Sequence, residues 1–147
     1  MIEDVRFSIA EINIVVHATE DKSIILRSLH DVLSVSEEKF SSVFLHGHFG
    51  NEIVLLTANI GVPEANALAS KIIFSLGSID RIHLSKFFNK YIDEKGNLYI
   101  RLDKQKLCQG KISLFDIDSI RIRFRPIRKY RPSNNLENYR RFFTLNE

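Results

Sequence analysis

The segment that most restricts the fold is residues 119–127, SIRIRFRPI, in which apolar and arginine residues alternate. Side chains of a β-strand point alternately to opposite faces of the sheet. The isoleucine and phenylalanine side chains are therefore predicted on one face, and Arg121, Arg123 and Arg125 on the other. Such a strand fits a sheet that buries one face against helices and leaves the other face to water or a partner.

The remaining patterns predict the order β-α-β-β-α-α-β-β, followed by a C-terminal tail. Hairpin-joined strands with grouped helices are typical of an α+β domain with a mostly antiparallel sheet and helices on one face. A change in the phase of the apolar alternation predicts a bulge near Ala10. The strands are predicted within residues 5–18, 39–50, 51–61, 98–103 and 119–127, and the helices within 19–33, 62–77 and 78–91.

A chain of 147 residues is the size of one ordinary domain. We predict a single α+β domain over residues 1–130 and a tail over 131–147, because Pro132 and two asparagines interrupt the pattern at RPSNN. Within the tail, LENYRRFF has helical apolar spacing. It is interpreted either as a short helix docked on the domain or as an exposed helix that binds a partner.

The composition excludes several classes of protein. Cys108 is the only cysteine, so an internal disulfide and a cysteine-built zinc site are impossible. No apolar run approaches the roughly 18 residues that span a bilayer. The first residues, MIEDVRF, carry acids before any apolar run, unlike a signal peptide. We expect a cytoplasmic protein with no membrane partner.

The positive charge is concentrated near the C-terminus. Residues 1–120 carry 13 Lys/Arg and 16 Asp/Glu, whereas residues 121–147 carry eight and two, which gives net charges of −3 and +6. Arginines at alternate strand positions stand ~6.5–7 Å apart, and each guanidinium binds phosphate through a planar fork. The pattern therefore indicates a track for a nucleic-acid backbone. A solvated sheet face, with the arginines paired to acids such as Glu11 or Asp103, is the competing interpretation.

The candidate RNA contacts are predicted from the arginine-lined strand within residues 119–127. Its three arginines would bind phosphates, further cations would extend the track, and two lysines after the fourth strand would flank it. The predicted set is Arg121, Arg123, Arg125, Arg128, Lys129, Arg131, Lys104 and Lys106.

The hairpin tip HGHFGN supplies a second candidate contact. His46 and His48 share a strand face, and Phe49 could stack on a base. The same two histidines, with His17, could suit a metal, but real sites need three or four oriented ligands. Turn chemistry, with Gly47 and Gly50 free to adopt positive φ, is the plain alternative.

No sequence motif names a reaction. HATED (17–21) places His17, Glu20 and Asp21 at a strand-to-helix junction, where helix capping explains the acids. A phosphate-binding loop, a dinucleotide fingerprint, HExxH and GxSxG are all absent from the sequence. We therefore predict a non-enzymatic protein with no catalytic residue, no cofactor and no metal, and keep a metal-dependent hydrolase as the third hypothesis.

Four motifs together resemble one small archaeal family, described as predicted RNA-binding proteins or predicted exosome subunits. They are HATED, GHFGN, RLDKQ and the closing IRIRFRPI, in that order over residues ~10–127. The resemblance implies RNA binding without catalytic residues, a place in an RNA-processing complex, and an α+β fold similar to the ribosomal protein that binds 5S rRNA. The chain departs from this family after Arg128, where the added tail could cover the arginine face.

The leading hypothesis is an RNA-binding protein that contacts the phosphate backbone through its arginine-lined strand. The alternative is a protein-interaction or self-association module, in which an exposed sheet face or edge pairs with a second copy as a homodimer.

Overall fold

The structure is a computed structural model that describes residues 6–47, 49–127 and 132–144, with the backbone alone for 132–137. Its strands are β1 (Phe7–Val16), β2 (Phe40–His46), β3 (Glu52–Gly61), β4 (Leu98–Asp103) and β5 (Ser119–Pro126). Its α-helices are α1 (Lys22–Leu33), α2 (Glu64–Ser75), α3 (Ser78–Lys86), α4 (Phe88–Tyr91), α5 (Lys104–Cys108) and α6 (Pro132–Phe143). A 3₁₀ turn at Glu37–Lys39 precedes β2.

The five strands form one sheet in the order β2-β3-β1-β5-β4. Every pair of neighbouring strands is antiparallel. β1 occupies the centre, where Ile12 lies opposite Ala58 of β3 and Ile122 of β5. The predicted α+β class with an antiparallel sheet is confirmed.

The apolar alternation of the strands produces one buried face. Side chains of β1, β3, β4 and β5 on this face belong to a single core with those of α1 and α2. In α1, Ile25, Leu29 and Leu33 are buried at the predicted helical spacing. Asp21 caps this helix by accepting hydrogen bonds from the N–H groups of Ser23 and Ile24.

The change of phase in β1 coincides with a bulge. The β1–β5 register shifts between Phe7 and Ile9, so Phe7 and Ala10 are both buried although three positions separate them. The irregularity lies at the start of the strand, close to the predicted position.

One local feature differs from the prediction, whereas the helical turn predicted within residues 104–110 is found as helix α5. Residues 78–91 form two helices instead of one, because Phe87 leaves the helical conformation at φ −107° and ψ 45°. The break allows Phe88 and Tyr91 to be buried while Phe87 stays exposed. The residues after β4 form the short helix α5, which begins where the Asp103 side chain accepts a hydrogen bond from the N–H of Lys106.

Three aromatic side chains of α6 pack on the buried face of the sheet. Tyr139, Phe142 and Phe143 are buried, and the Tyr139 ring lies 6.3 Å from that of Phe7. The Tyr139 hydroxyl donates a hydrogen bond of 2.6 Å to the carbonyl of Gly96. This part of the tail therefore lies on the side of the sheet opposite to the arginines.

Within the described ranges, no helix combines the length and the apolar character that crossing a bilayer requires.

Candidate nucleic-acid interface

The second face of the sheet, which we call the open face, carries the alternating arginines. Arg121 and Arg125 are exposed and Arg123 is half-buried, whereas the residues between them are buried. The open face continues on β1 with Glu11 and Asn13, which lie opposite Arg123 and Arg121. The predicted sidedness of β5 is thus found in the structure.

Two of the three arginines are neutralised in part by one carboxylate. Glu11 lies within 2.6 Å of the Arg123 guanidinium and 2.8 Å of that of Arg125. The Glu11 carboxylate raises the pKa of Arg123 above its usual value, since the ion pair favours the charged form. We call these three residues the Glu11 cluster. The competing interpretation from the sequence, pairing with an acid on a neighbouring strand, therefore holds for Arg123 and Arg125.

Arg121 has a different neighbour. Arg121 on β5 lies directly opposite Arg101 on β4, and both side chains are exposed. Within the described residues, neither guanidinium makes a hydrogen bond or an ion pair. Like charges that lie directly opposite each other on a sheet repel. This arginine pair, Arg101 and Arg121, is consequently a place where a bound anion would relieve repulsion and satisfy two guanidinium groups at once.

Tyr99 lines two hollows, and the smaller of them is also lined by the arginine pair. A hollow of about 320 Å³ lies between Tyr99, the arginine pair and Asn13. A second hollow of about 730 Å³ is lined by Tyr99, Asp93 and Phe88. Tyr99 is 37% exposed.

The hydroxyl of Tyr99 is held by a hydrogen bond. It donates a hydrogen bond of 2.9 Å to Asp93, which also accepts from the N–H groups of Lys95 and Asn97 and from the Asn97 side chain. Burial alone would raise the pKa of the Asp93 carboxyl, but these hydrogen bonds outweigh it and hold that pKa below its usual value. Asp93 is therefore an ionised and fully engaged acceptor that fixes the position of the tyrosine ring.

Lys104 does not reach the surface, so its prediction as a flanking RNA contact is corrected. Its side chain is 1% exposed, and its ammonium group donates hydrogen bonds to Glu20 at 2.8 Å, Asp118 at 3.1 Å and the carbonyl of Val15 at 2.7 Å. Val15 and Glu20 lie 89 and 84 positions before Lys104, and Asp118 lies 14 positions after it. A buried charge needs such partners, and these consume all three of its donors.

We call Lys104, Glu20, Asp118 and His17 the Lys104 cluster. His17 belongs to it because its ring nitrogen lies 2.9 Å from Asp118. Ligand atoms of His17, Glu20 and Asp118 lie within 4.8 Å of one another, a spacing that a metal could use. The Lys104 ammonium, however, already bonds to both carboxylates. The two acids of HATED therefore have different roles, since Glu20 holds the Lys104 ammonium and Asp21 caps α1. Glu20 also accepts a hydrogen bond from the N–H of His17.

Lys106 is exposed but lies on the helical side of the molecule. It lines a hollow with Asp31, Lys71 and Asp80, which belong to α1, α2 and α3. The structure therefore does not bring Lys106 together with the open face. Its prediction as a flank of the arginine strand is corrected, because the hollow that it lines lies among the helices.

The hairpin tip stands at the far side of the sheet. His46 and Phe49 are exposed, with Phe49 at 85%. Gly50 has φ +78°, which explains the glycine at that turn position. Two strands lie between β2 and β5, so roughly 14 Å separates them at the usual strand spacing.

Four predicted contacts fall outside the described residues: His48, Arg128, Lys129 and Arg131.

Two residues of the open face, Tyr99 and Arg101, are absent from the predicted contact set, although RLDKQ left Arg101 open between an ion pair with Asp103 and an extension of the basic surface. Arg101 and Tyr99 share the outward phase of LYIRLD, in which Leu98, Ile100 and Leu102 point inward. That alternation is the signal that could have included both. The register that sets Arg101 opposite Arg121 carries no such signal, because it depends on how β4 pairs with β5.

The sequence matches the model of a protein family described as "RNA binding" over residues 10–125. The chain belongs to this RNA-binding family. Its description is of binding and not of a reaction, which agrees with the prediction of a non-enzymatic protein.

Relatives of this RNA-binding family member are archaeal. It is 29% identical over 124 residues to a Pyrococcus abyssi protein named "RNA-binding protein PAB1135", covering 78% of this chain and 80% of the relative. It is 31% identical over 122 residues to the uncharacterized protein MJ0213 of Methanocaldococcus jannaschii, covering 75% and 77%. The prediction of an archaeal RNA-binding family is confirmed.

A solved structure has the same fold. The protein AF2318 from Archaeglobus fulgidus, described as a DUF54 protein, superposes with a TM-score of 0.77 at 23% identity, covering 93% of this chain and 99% of that chain. The implied likeness to the ribosomal protein that binds 5S rRNA stays a prediction.

Proposed function

We propose that the protein binds RNA by its phosphate backbone through the open face, with the arginine pair as the main anchor. The observation that carries this proposal is the cross-strand position of Arg101 and Arg121, two exposed guanidinium groups with no acidic partner among the described residues. A phosphate between them would accept charge-assisted hydrogen bonds from both. The family description supports RNA as the ligand.

The Glu11 cluster supplies a weaker second anchor in this proposal. One carboxylate faces two guanidiniums, so one positive charge remains on the cluster. Arg125 keeps a 52% exposed side chain and is available to a second phosphate. The predicted cations Arg128, Lys129 and Arg131 would extend the track beyond the end of β5, and the hairpin tip with His46 and Phe49 would meet only an RNA that crosses the sheet.

The experiment is a titration of labelled RNA at several salt concentrations with the double variant Arg101→Ala, Arg121→Ala. Each phosphate contact on a single strand contributes about −0.7 to the slope of log K against log salt. Loss of both guanidiniums should therefore weaken binding and flatten the slope by about 0.7, because the pair holds one phosphate.

A matched control removes two exposed cations from the helical side, in the double variant Lys71→Ala, Lys106→Ala. The net charge changes equally, but neither lysine lies on the open face, so the slope should remain close to that of the native protein. Equal losses in both double variants would mean that net charge, and not the arginine pair, drives binding. Unchanged affinity in the arginine variant would refute the proposed anchor.

A second function, self-association, is favoured by strand β2. This edge strand pairs only with β3 among the described strands. Val43, Phe44 and Leu45 are consecutive, so they project to both faces, and they are 48%, 63% and 48% exposed. The strand contains no Lys, Arg, Asp or Glu, although charge, lysine above all, is the usual protection of an edge. We propose that β2 pairs with β2 of a second copy to form a homodimer.

Sedimentation velocity over a range of protein concentrations tests this homodimer. The native protein should gain mass with concentration, whereas Val43→Lys should stay a monomer, because a lysine on the edge opposes pairing. Val62→Lys is the control, since Val62 is also exposed, at 56%, but lies outside the strands. A native protein that remains monomeric at all concentrations excludes the homodimer. Participation in an RNA-processing complex stays a prediction.

A further inference from the structure

We propose that the open face selects single-stranded RNA, because Tyr99 stacks on a nucleobase while the arginine pair holds an adjoining phosphate. The inference rests on the proposed RNA-binding function and adds its substrate class. It depends on Tyr99, which no prediction from the sequence included and no comparison assigns.

The position of Tyr99 suits a base next to a bound backbone. It is two residues before Arg101 on β4 and lies directly opposite Arg123 on β5. Residues two apart on a strand stand ~6.5–7 Å from each other on one face, a separation comparable to one nucleotide step. If the arginine pair binds one phosphate of an RNA strand, the base of the adjoining nucleotide therefore lies on Tyr99.

The surroundings of Tyr99 leave room for a planar ligand. Hollows of about 320 Å³ and about 730 Å³ meet at this side chain. The smaller hollow is bordered by three arginines, namely Arg101, Arg121 and Arg123, and by one acid, Glu11. The larger hollow is bordered by two acids, Asp93 and Glu94, and by two cations, Lys95 and Arg123. The smaller hollow therefore carries the excess of positive charge, which favours the phosphate backbone there.

The tyrosine is also pre-organised. Its hydroxyl is bound to Asp93 at 2.9 Å, and Asp93 is in turn held by three hydrogen bonds from Lys95 and Asn97. A ring that is already fixed loses little conformational freedom when a base stacks on it.

Stacking on Tyr99 requires an unpaired base. In an RNA duplex the bases are stacked on each other and the major groove is too deep and narrow for side chains to read. Phosphate contacts alone would accept single and double strands alike. The aromatic side chain beside the arginine pair is therefore the feature that discriminates between them.

The test compares three probes by fluorescence anisotropy: a 12-nucleotide single-stranded RNA, the same RNA annealed to its complement, and the same single strand with abasic sites in place of its bases. The native protein should bind the first probe at least about fivefold more tightly than the others, since stacking on an aromatic side chain has at least this value per base.

Three variants separate the ring from its hydroxyl and from other aromatic residues. Tyr99→Leu should lose at least about fivefold on the first probe with an unchanged salt slope, and nothing on the abasic strand. Tyr99→Phe keeps the ring and should stay within about threefold of the native protein. Phe74→Leu, which removes an exposed aromatic side chain from helix α2 on the helical side of the molecule, should bind as the native protein does. Circular dichroism verifies that each variant is folded.

The outcomes distinguish this inference from the proposed function. If Tyr99→Leu binds the single strand as the native protein does while the arginine double variant loses affinity, stacking is refuted and RNA binding stands. If neither variant loses affinity, the proposed function fails as well. Equal native affinity for all three probes, or an equal loss on the normal and abasic strands in Tyr99→Leu, also overturns the inference.

Discussion

Arg101 and Lys104 lie three positions apart in RLDKQ, and the folded chain gives their charges opposite surroundings. The Arg101 side chain is exposed and faces another arginine. The Lys104 ammonium is buried and bonds to Glu20, Asp118 and the carbonyl of Val15. A satisfied cation stabilises the fold, whereas an unsatisfied exposed one is available to a ligand. The comparison teaches that the number of acceptors around a basic residue, and not its charge, separates structural from binding cations.

The largest effect is expected from Lys104→Met. Removal of one partner of a buried ion cluster leaves Glu20 and Asp118 without their cation and should lower the free energy of unfolding by about 3–5 kcal/mol. Urea denaturation measures this loss. Lys106→Met is the control, because that lysine is exposed, and should change stability by less than about 0.5 kcal/mol.

At a temperature where Lys104→Met remains folded, its RNA affinity should equal that of the native protein. A selective loss of RNA affinity without a loss of stability would reverse the assignment and return Lys104 to the binding surface.

A second test frees arginines instead of removing them. Glu11→Gln eliminates the carboxylate that holds Arg123 and Arg125, so RNA should bind about tenfold more tightly, the value of roughly one additional charge-assisted hydrogen bond. The salt slope should steepen, as measured in the same anisotropy titration. Weaker binding would instead mean that Glu11 orders the guanidiniums for the ligand.

The hydrogen bonds of Asp118 also predict how the stability of the Lys104 cluster depends on pH. Burial alone would raise the pKa of Asp118, but hydrogen bonds from His17 and Lys104 outweigh it and lower that pKa. A carboxyl whose folded pKa lies below its unfolded value of about 3.9 stabilises the fold above that value and loses this contribution as the pH falls through the folded pKa.

Urea denaturation between about pH 6 and pH 2.5 should therefore show a steeper acid loss in the native protein than in Asp118→Asn. Asp116→Asn, an exposed neighbour paired with Lys90, provides the control. Identical pH profiles for the native protein and Asp118→Asn would remove Asp118 from the stabilising cluster.

The smallest effect concerns the arginine pair without RNA. Arg101→Ala relieves the repulsion from Arg121 and should raise the free energy of unfolding by about 0.2–0.5 kcal/mol. Arg123→Ala should have the opposite sign, because it deprives the half-buried Glu11 of one partner. If both substitutions destabilise equally, the two arginines do not differ in the way that their neighbours imply.

Local patterns were sufficient for much of the fold. The alternation in LYIRLD and SIRIRFRPI assigned inward and outward positions correctly, because the two-residue period of a strand depends on nothing beyond the strand. A cap from Thr19 or Asp21 was expected for the same reason, since capping involves only the next three residues, and Asp21 is the residue that caps α1. The break at Phe87 was missed, because the burial of Phe88 and Tyr91 depends on the sheet and on α6.

The sequence by itself determined that one sheet face would carry the arginines and that the positive charge would collect near the C-terminus. Only the tertiary structure decided which cations remain without acceptors. Glu11 meets Arg123 across 112 positions, and Glu20 meets Lys104 across 84. Such meetings depend on strand register and helix packing, which bring distant residues within hydrogen-bonding distance and which no local pattern records. The physical reason is that electrostatic interactions depend on distance in space, whereas a sequence specifies only distance along the chain.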